Sequence, residues 1–187
     1  MVGSFKRQKN HTVFLRAAKR VLEYHPDVAI VLAGDTLAAG LHGTDEYKRE
    51  VLDEIEKLDF GDRIKLLGNR EDIENFYAAC DLTVLPSLHE GTPNVALESM
   101  ACGTPVVASN VADNSIVIPD GDAGFIVPLN DVDAMADAIS RLLDRDVLKT
   151  MRVHAREWAI EQFGSAASAH AMLDVYEDVL EKMERSA

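Results

Sequence analysis

Two carboxylates flank a proline-marked helix start in the segment Ser87–Ser109. Glu90 lies in a Gly/Pro-rich turn, and Glu98 lies in a run of Val, Ala, Leu and Met that predicts a helix. A carboxylate in such a run is costly to bury unless another group pairs with it. Thr92 is placed to cap this helix, and Pro93 fits the first helical position, where a missing N–H has no cost.

The same helix start predicts an anion site. The backbone amides of Asn94 and Val95 are expected to be free and to point out of the helix N-terminus, an arrangement that attracts negative charge. A turn carboxylate, a helix-end anion site and a second carboxylate further along the helix would suit a sugar, a phosphate and a ribose.

A basic loop, SFKRQKNH, precedes the first predicted helix and places Lys6, Arg7 and Lys9 within four residues of an otherwise acidic chain. At a helix start, Lys9 together with backbone amides would suit a diphosphate. The alternative is a solvated basic loop without a ligand, and this interpretation is favoured for Lys6.

Short apolar runs alternate with helical patterns along the chain and predict the elements that position these groups. The predicted strands are 28–33, 64–67, 82–85, 106–108 and 125–127, and the predicted helices are 11–24, 44–58, 73–79, 93–101, 132–143, 147–161 and 167–183. This alternation predicts an α/β fold with a doubly wound parallel sheet covered on both faces. Ligands of such sheets bind beyond the carboxyl ends of the strands, where the loops 3–10, 34–43, 68–72 and 87–92 are expected.

The two glutamates separated by seven residues, followed by MACGTPVV from Met100 to Val107, carry a family resemblance. They resemble the nucleotide-sugar-binding signature of retaining GT-B glycosyltransferases of the glycosyl transferases group 1 family. The segments 2–11, 31–35, 64–87 and 120–139 match that family in order and spacing. The resemblance implies a Rossmann-like domain forming the C-terminal half of a GT-B fold, and retaining, metal-independent transfer from a nucleotide diphosphate sugar.

The resemblance also implies roles for single residues. Lys9 matches the lysine that meets the donor phosphates, Glu90 the residue that faces the sugar hydroxyls, and Glu98 the residue that meets the ribose hydroxyls. Glu90 and Lys9 are the predicted catalytic residues. The predicted donor-binding residues are Ser4, Arg7, Lys9, Gly68, Arg70, Glu90, Gly91, Thr92, Pro93, Asn94, Val95 and Glu98.

One of these assignments departs from the family pattern, and another rests only on the position of a loop. Ser4 stands where the family often has an arginine, which either weakens the expected phosphate contact or shifts part of it to Arg7. Arg70 and the loop that starts at Gly68 stand where the family frames the nucleotide base.

The 187 residues are expected to form one donor-binding domain, with C-terminal helices from about residue 147. The resemblance implies that the N-terminal acceptor domain is absent from this chain, and Val2–Gly3 reads as the end of a first strand. The apolar stripe of the C-terminal helices predicts a core face. Because the last helix of the related enzymes crosses onto the other domain, part of this face is also a candidate for exposure or self-association.

Other chemistries are disfavoured. Asp-x-Asp occurs at 120/122, 131/133 and 144/146, but these positions read as a Gly-rich turn, a helix cap and an interhelical turn, so neither a metal nor a cofactor is expected. His89-Glu90 lacks the second histidine of a zinc helix, because Pro93 occupies its position. A sugar-nucleotide epimerase of related architecture fits the glutamate spacing less well, and a non-catalytic nucleotide-sugar-binding module remains an alternative for the chain as it stands.

A net charge of −13 argues against nucleic-acid and anionic-membrane partners. Cys80 and Cys102 are isolated in apolar surroundings and are expected to be core thiols, which fits a reducing cytoplasm. No apolar run approaches the length of a membrane span, and a cytoplasmic location is expected.

Overall fold

The computed structural model of the protein describes residues 1–34 and 44–185, so most of the predicted loop 34–43 lies outside the described residues. The strands are β1 Ile30–Ala33, β2 Ile64–Gly68, β3 Thr83–Leu85, β4 Val106–Ser109 and β5 Gly124–Val127. The helices are α1 His11–Tyr24, α2 Thr44–Leu58, α3 Ile73–Ala79, α4 Asn94–Ala101, α5 Asn114–Val117, α6 Val132–Leu142, α7 Arg145–Phe163 and α8 Ser165–Arg185. Two 3₁₀ turns cover Arg7–Lys9 and Gly61–Arg63.

The predicted α/β alternation is confirmed. The helices α1, α2 and α3 have the predicted bounds. Strand β1 begins two residues later than predicted, because the amide of Val28 donates to the carbonyl of His25 in a turn (3.2 Å). Helix α5 was not predicted, since four residues are too few to show a helical period.

The strands pair in parallel, as predicted, but in two hydrogen-bonded ladders within the described part of the chain. One ladder joins β1 to β2, and the other has the order β3-β4-β5. Val2 forms a parallel bridge with Ala33, and the amide of Gly3 donates to the carbonyl of Ala33 (2.8 Å). The segment at Val2–Gly3 therefore lies beside β1, with the loop that follows it at the carboxyl end of that strand.

Strand β4 shows how both faces are covered. Its four residues are all buried, and successive side chains of a strand point to opposite faces. Val107 packs into the cluster formed mainly by α1 and α6, whereas Val106 and Ala108 pack into the cluster formed with α4 and α7. A strand buried on both faces is typical of a parallel sheet between two helical layers, and it confirms the doubly wound arrangement.

The C-terminal stripe behaves differently in its two helices. Helix α7 buries Met151, Ala155 and Ala159 but leaves Val153 exposed, so the core prediction holds for α7 only in part. For α8 the core interpretation is wrong and the alternative of an exposed face is the one observed. Its exposed large apolar side chains are Met172, Leu173, Val175, Tyr176, Val179, Leu180 and Met183. The physical reason is that α8 makes its main contacts with α7, so this face has no comparable partner among the described residues. No helix among those same residues combines the length and hydropathy of a membrane span.

Candidate functional site

Two loops that are about 80 residues apart in sequence meet at the carboxyl end of the strands. The amide of Leu88 donates to the carbonyl of Gln8 (2.8 Å), and the Gln8 side-chain amide donates to the carbonyl of His89 (2.9 Å). The buried Asn10 side chain donates to the carbonyl of Pro86 (3.1 Å). These bonds fix the basic loop 4–10 against the loop 86–92.

The contact between these loops brings together the two predicted catalytic residues. The Lys9 Nζ atom lies 2.7 Å from Glu90 Oε1, and the two side chains are only 16% and 9% exposed. The aliphatic part of Lys9 lies against Gly3, where an added Cβ would meet Lys9 Cγ at 3.2 Å. The solvated-loop alternative for Lys9 is therefore wrong, although sequence reasoning gave the two residues separate partners and did not anticipate their ion pair.

A close backbone contact supports the base of the Lys9 loop. A Cβ atom added at Gly34, where φ is +150°, would lie 2.0 Å from the carbonyl oxygen of Gly3. The Gly34 amide donates to the carbonyl of Gly68 (2.8 Å), which itself adopts a left-handed φ of +67°. The ends of three neighbouring strand segments thus meet through backbone atoms, and only glycine at position 34 leaves room for it.

His11 lies beneath the Lys9 loop and is 1% exposed. Its ring stacks on Phe5 with centroids 4.7 Å apart, and its backbone amide donates to the Tyr47 hydroxyl (2.8 Å). Burial lowers the pKa of His11 to about 4, so the ring is neutral at pH 7. His11 therefore has a structural role beneath the loop.

Arg7 turns towards α2. Its Nη2 atom lies 2.8 Å from Glu50 Oε2, its guanidinium carbon lies 5.0 Å from the centre of the Tyr47 ring, and its side chain is 63% exposed. Ser4 stands where the family often has an arginine, and its backbone carbonyl accepts a hydrogen bond from the Lys6 amide (2.7 Å).

The start of α4 differs from the prediction. Pro93 is the N-cap residue, with a non-helical ψ of 75°, and the helix begins at Asn94. Because the Asn94 amide donates to the carbonyl of Thr92 (2.9 Å), that amide is not free, and Thr92 contributes its backbone rather than a side-chain cap. Val95 is half-buried, whereas an added Cβ at Gly91 would meet nothing within 4 Å.

Glu98 is exposed, so its carboxylate does not carry the cost of burial in the apolar run. Its Oε2 atom accepts a hydrogen bond from the Tyr77 hydroxyl (3.1 Å). Tyr77 is fully buried on α3, and burial together with the nearby Glu98 charge raises its pKa, so the phenol stays protonated. Sequence reasoning missed Tyr77; the available signal was a tyrosine on an apolar helix face, because a buried phenol normally finds a hydrogen-bond partner.

Arg70 is bound within its own loop. Its Nε and Nη2 atoms lie 2.9 and 2.7 Å from the two carboxylate oxygens of Asp72. These hydrogen bonds lower the pKa of Asp72. The structure thus places Arg70 in the predicted loop, directed along that loop.

The Asp-x-Asp positions have the structural roles predicted for them. Asp120 accepts the amide of Ile126, Asp131 caps α6, and Asp144 caps α7 through bonds to two backbone amides. Within residues 1–34 and 44–185, no group of three or more His, Cys, Asp or Glu side chains is arranged to hold a metal ion.

Comparisons with known proteins define the class of the fold. The chain superposes on *Anabaena* Alr3699/HepE in complex with UDP and glucose with a TM-score of 0.82 and 27% identity, over 95% of this chain and 48% of that one. It also superposes on the C-terminal domain of the group 1 glycosyl transferase LpcC from *Francisella tularensis* with a TM-score of 0.77 and 22% identity, over 88% of this chain and 86% of that one. The fold is therefore the C-terminal half of a GT-B glycosyltransferase.

Sequence comparison gives the family. A family model described as Glycosyl transferases group 1 matches residues 1–145, and the chain belongs to this family. It is 34% identical over 182 residues to the *Escherichia coli* UDP-Gal:alpha-D-GlcNAc-diphosphoundecaprenol alpha-1,3-galactosyltransferase, covering 96% of this chain and 45% of the relative. The chain thus spans about half the length of the curated relatives that it matches.

Proposed function

We propose that this chain binds the nucleotide diphosphate sugar of a retaining, metal-independent glycosyltransferase, and that the nucleotide is UDP. The observation that carries the proposal is the Lys9–Glu90 pair at the carboxyl end of the strands, with Glu98 on the helix that follows the Glu90 loop. The choice of UDP is supported by the UDP complex of the *Anabaena* neighbour and by the name of the *Escherichia coli* relative.

Lys9 is assigned to the diphosphate. When the bond from the sugar to the diphosphate breaks, negative charge develops on the departing phosphate oxygens. A positioned ammonium group in a partly water-excluded site stabilises that charge more than it would in bulk water. Because Lys9 is 16% exposed and its loop is fixed by hydrogen bonds, it meets both requirements without a metal ion.

Glu90 and Glu98 are assigned to different parts of the donor. The Glu90 Oε1 atom accepts a hydrogen bond from Lys9 Nζ, and the Glu90 Oε2 atom is assigned to a hydroxyl of the sugar. Glu98 is assigned to the ribose hydroxyls, and the loop that contains Gly68 and Arg70 to the base. The backbone of 91–95 is assigned to the sugar and the diphosphate.

Turnover is proposed to require more than this chain. Its length is about half that of its relatives, and we assign acceptor binding to a further domain of a longer parent protein. The chain alone is therefore expected to bind the donor without transferring the sugar.

Calorimetry with UDP, GDP and ADP, in Mn²⁺ and in chelator, tests binding and metal independence. UDP is expected to bind with an affinity that the metal does not change. Lys9→Ala should weaken UDP binding by at least about tenfold, since a charge-assisted hydrogen bond contributes about 1.5–3 kcal/mol. Lys6→Ala removes the same charge from an exposed position nearby and is expected to change the affinity less than twofold.

Equal losses of affinity in the Lys6 and Lys9 variants would reveal nonspecific attraction. A folded chain that binds none of the three nucleotides at millimolar concentration would refute the proposal.

The division of roles between the two glutamates is tested with UDP and UDP-glucose. Glu98→Gln should weaken both ligands alike, whereas Glu90→Gln should weaken UDP-glucose relative to UDP.

A further inference from the structure

Tyr77 is a buried residue that the proposed donor contacts do not use, yet its hydroxyl reaches one of them. The ring is fully buried, and the hydroxyl donates to Glu98 Oε2 over 3.1 Å. The ring also packs edge-on against Phe76, with centroids 6.2 Å apart. Tyr77 is thus part of the core, and its only side-chain polar atom contacts an exposed carboxylate of the candidate site.

The position of Tyr77 is fixed on the side away from Glu98. Its backbone carbonyl accepts a hydrogen bond from the buried Thr104 side chain (2.8 Å). Arg152 of α7 donates to the carbonyl of Cys80, just beyond the end of α3 (3.1 Å). The hydroxyl of Ser99, the residue after Glu98, donates to the carbonyl of Thr104 (2.8 Å) and also lies within hydrogen-bond distance of the Thr83 hydroxyl on β3 (2.8 Å). The hydroxyl and the backbone that carries the carboxylate are therefore both held in place.

An exposed glutamate on a helix otherwise samples several rotamers, and ordering it on a ligand has an entropic cost. A hydrogen bond from a fixed phenol removes part of that cost before the ligand arrives. It also occupies one carboxylate oxygen, Oε2, and thereby directs Oε1 towards a ligand. A carboxylate held in this way accepts hydrogen bonds from a vicinal diol.

We infer that Tyr77 is a positioning residue that holds Glu98 in the orientation that recognises the ribose diol of the nucleotide. This inference rests on the proposed function, which assigns Glu98 to the ribose. It adds that the preference for a ribose over a sugar lacking both hydroxyls depends on a side chain that does not contact the ligand.

The test compares UDP with 2′,3′-dideoxy-UDP by calorimetry on the full chain. The wild-type protein is expected to bind UDP at least about tenfold more tightly, and Glu98→Gln should remove most of this preference. Tyr77→Phe should weaken UDP about three- to tenfold and leave dideoxy-UDP unchanged. The Tyr77→Phe/Glu98→Gln double variant should match Glu98→Gln alone, because the two residues act as one unit.

Two further variants separate positioning from a general loss of structure. Tyr47→Phe removes another buried hydroxyl, next to the Arg7 loop, and should keep the wild-type ratio of the two affinities. If Tyr77→Phe does not fold, 4-fluorophenylalanine at position 77 fills the space of the hydroxyl without donating, and the same change of ratio is expected.

The outcomes distinguish the inference from the proposal beneath it. If Glu98→Gln lowers the ratio but Tyr77→Phe or its fluorinated equivalent does not, Tyr77 has no positioning role and the ribose assignment stands. If the Tyr77 variants weaken both ligands equally, the tyrosine is only structural. If wild type and Glu98→Gln both bind the two ligands alike, the ribose assignment fails, and the inference fails with it.

Discussion

Glu90 and Glu98 occupy matched places in one sequence signature, but the fold holds them in different ways. The Glu90 side chain is 9% exposed and pairs with a lysine from another loop at 2.7 Å. Glu98 is exposed and accepts a neutral hydroxyl at 3.1 Å. The Glu90 end of the site is thus built by loop packing across the sheet, whereas the Glu98 end depends on two adjacent helices.

This difference has an energetic consequence. Removing one partner of a poorly exposed ion pair leaves the other charge uncompensated, so it affects stability as well as binding. Removing an exposed carboxylate has little effect on folding. The two ends should therefore respond differently to substitution even before a ligand is added.

The largest expected effect is at the backbone contact under the Lys9 loop. Gly34→Ala should lower the free energy of unfolding by about 3 kcal/mol, because the new Cβ would lie 2.0 Å from the Gly3 carbonyl oxygen. Gly91→Ala, where nothing lies within 4 Å of the new atom, is the matched control and should have almost no effect. Urea denaturation measures both, and equal stabilities of the two variants would contradict the proposed packing.

The next largest effect is a pH dependence of the unfolding free energy, which arises at the Glu90 end of the site, where His11 lies beneath the Lys9 loop. Burial lowers the pKa of His11 from 6.5 to about 4, so the unfolded chain binds an extra proton between these values and stability falls as pH falls. The loss should approach about 3 kcal/mol by pH 4. His11→Gln should lack this component, so its stability difference from wild type should narrow from pH 6.5 to 4. A constant difference across that range would show that His11 titrates normally.

A smaller contrast separates the glutamates themselves. Without ligand, Glu90→Gln should destabilise the fold by about 2 kcal/mol, since it removes a charge-assisted bond and leaves Lys9 unpaired. Glu98→Gln should change stability by less than about 0.5 kcal/mol. Thermal and urea unfolding measure the stability of both variants. A larger loss of stability in the Glu98 variant than in the Glu90 variant would contradict the prediction.

The smallest effect is expected at Arg70. Its ion pair with Asp72 closes a loop of neighbouring residues, and the two side chains are 32% and 47% exposed. Ion pairs between solvent-exposed side chains contribute little to stability, so Arg70→Ala should leave the midpoint of urea denaturation nearly unchanged. A loss comparable to that of Glu90→Gln would mean that the loop is tied to the rest of the site.

Local patterns predicted much of this structure. The bounds of α1, α2 and α3 and the parallel pairing follow from apolar periodicity, and the cap at Asp131 follows from residue type. Such features depend on neighbours within a few positions, which a single sequence displays directly.

The site contacts were less predictable because their partners are distant in sequence. Lys9 and Glu90 are separated by 81 positions, so their meeting depends on which strands are adjacent. For the C-terminal helices the sequence left a core face and an exposed face as alternatives, since an apolar stretch does not show which of its faces another element will cover. The hydrogen bond from the Asn94 amide to the Thr92 carbonyl depends on a local backbone conformation that residue type alone did not specify.

The exposed face of α8 also bears on how the chain behaves in solution. Electrostatic repulsion from a net charge of −13 keeps separate molecules apart, while the row from Met172 to Met183 favours contact between them. Repulsion between exposed charges is screened beyond about 8 Å at physiological ionic strength, and over shorter distances in stronger salt. Added salt should therefore lower the colloidal stability of this protein, so that dilute, low-salt buffers keep it dispersed best.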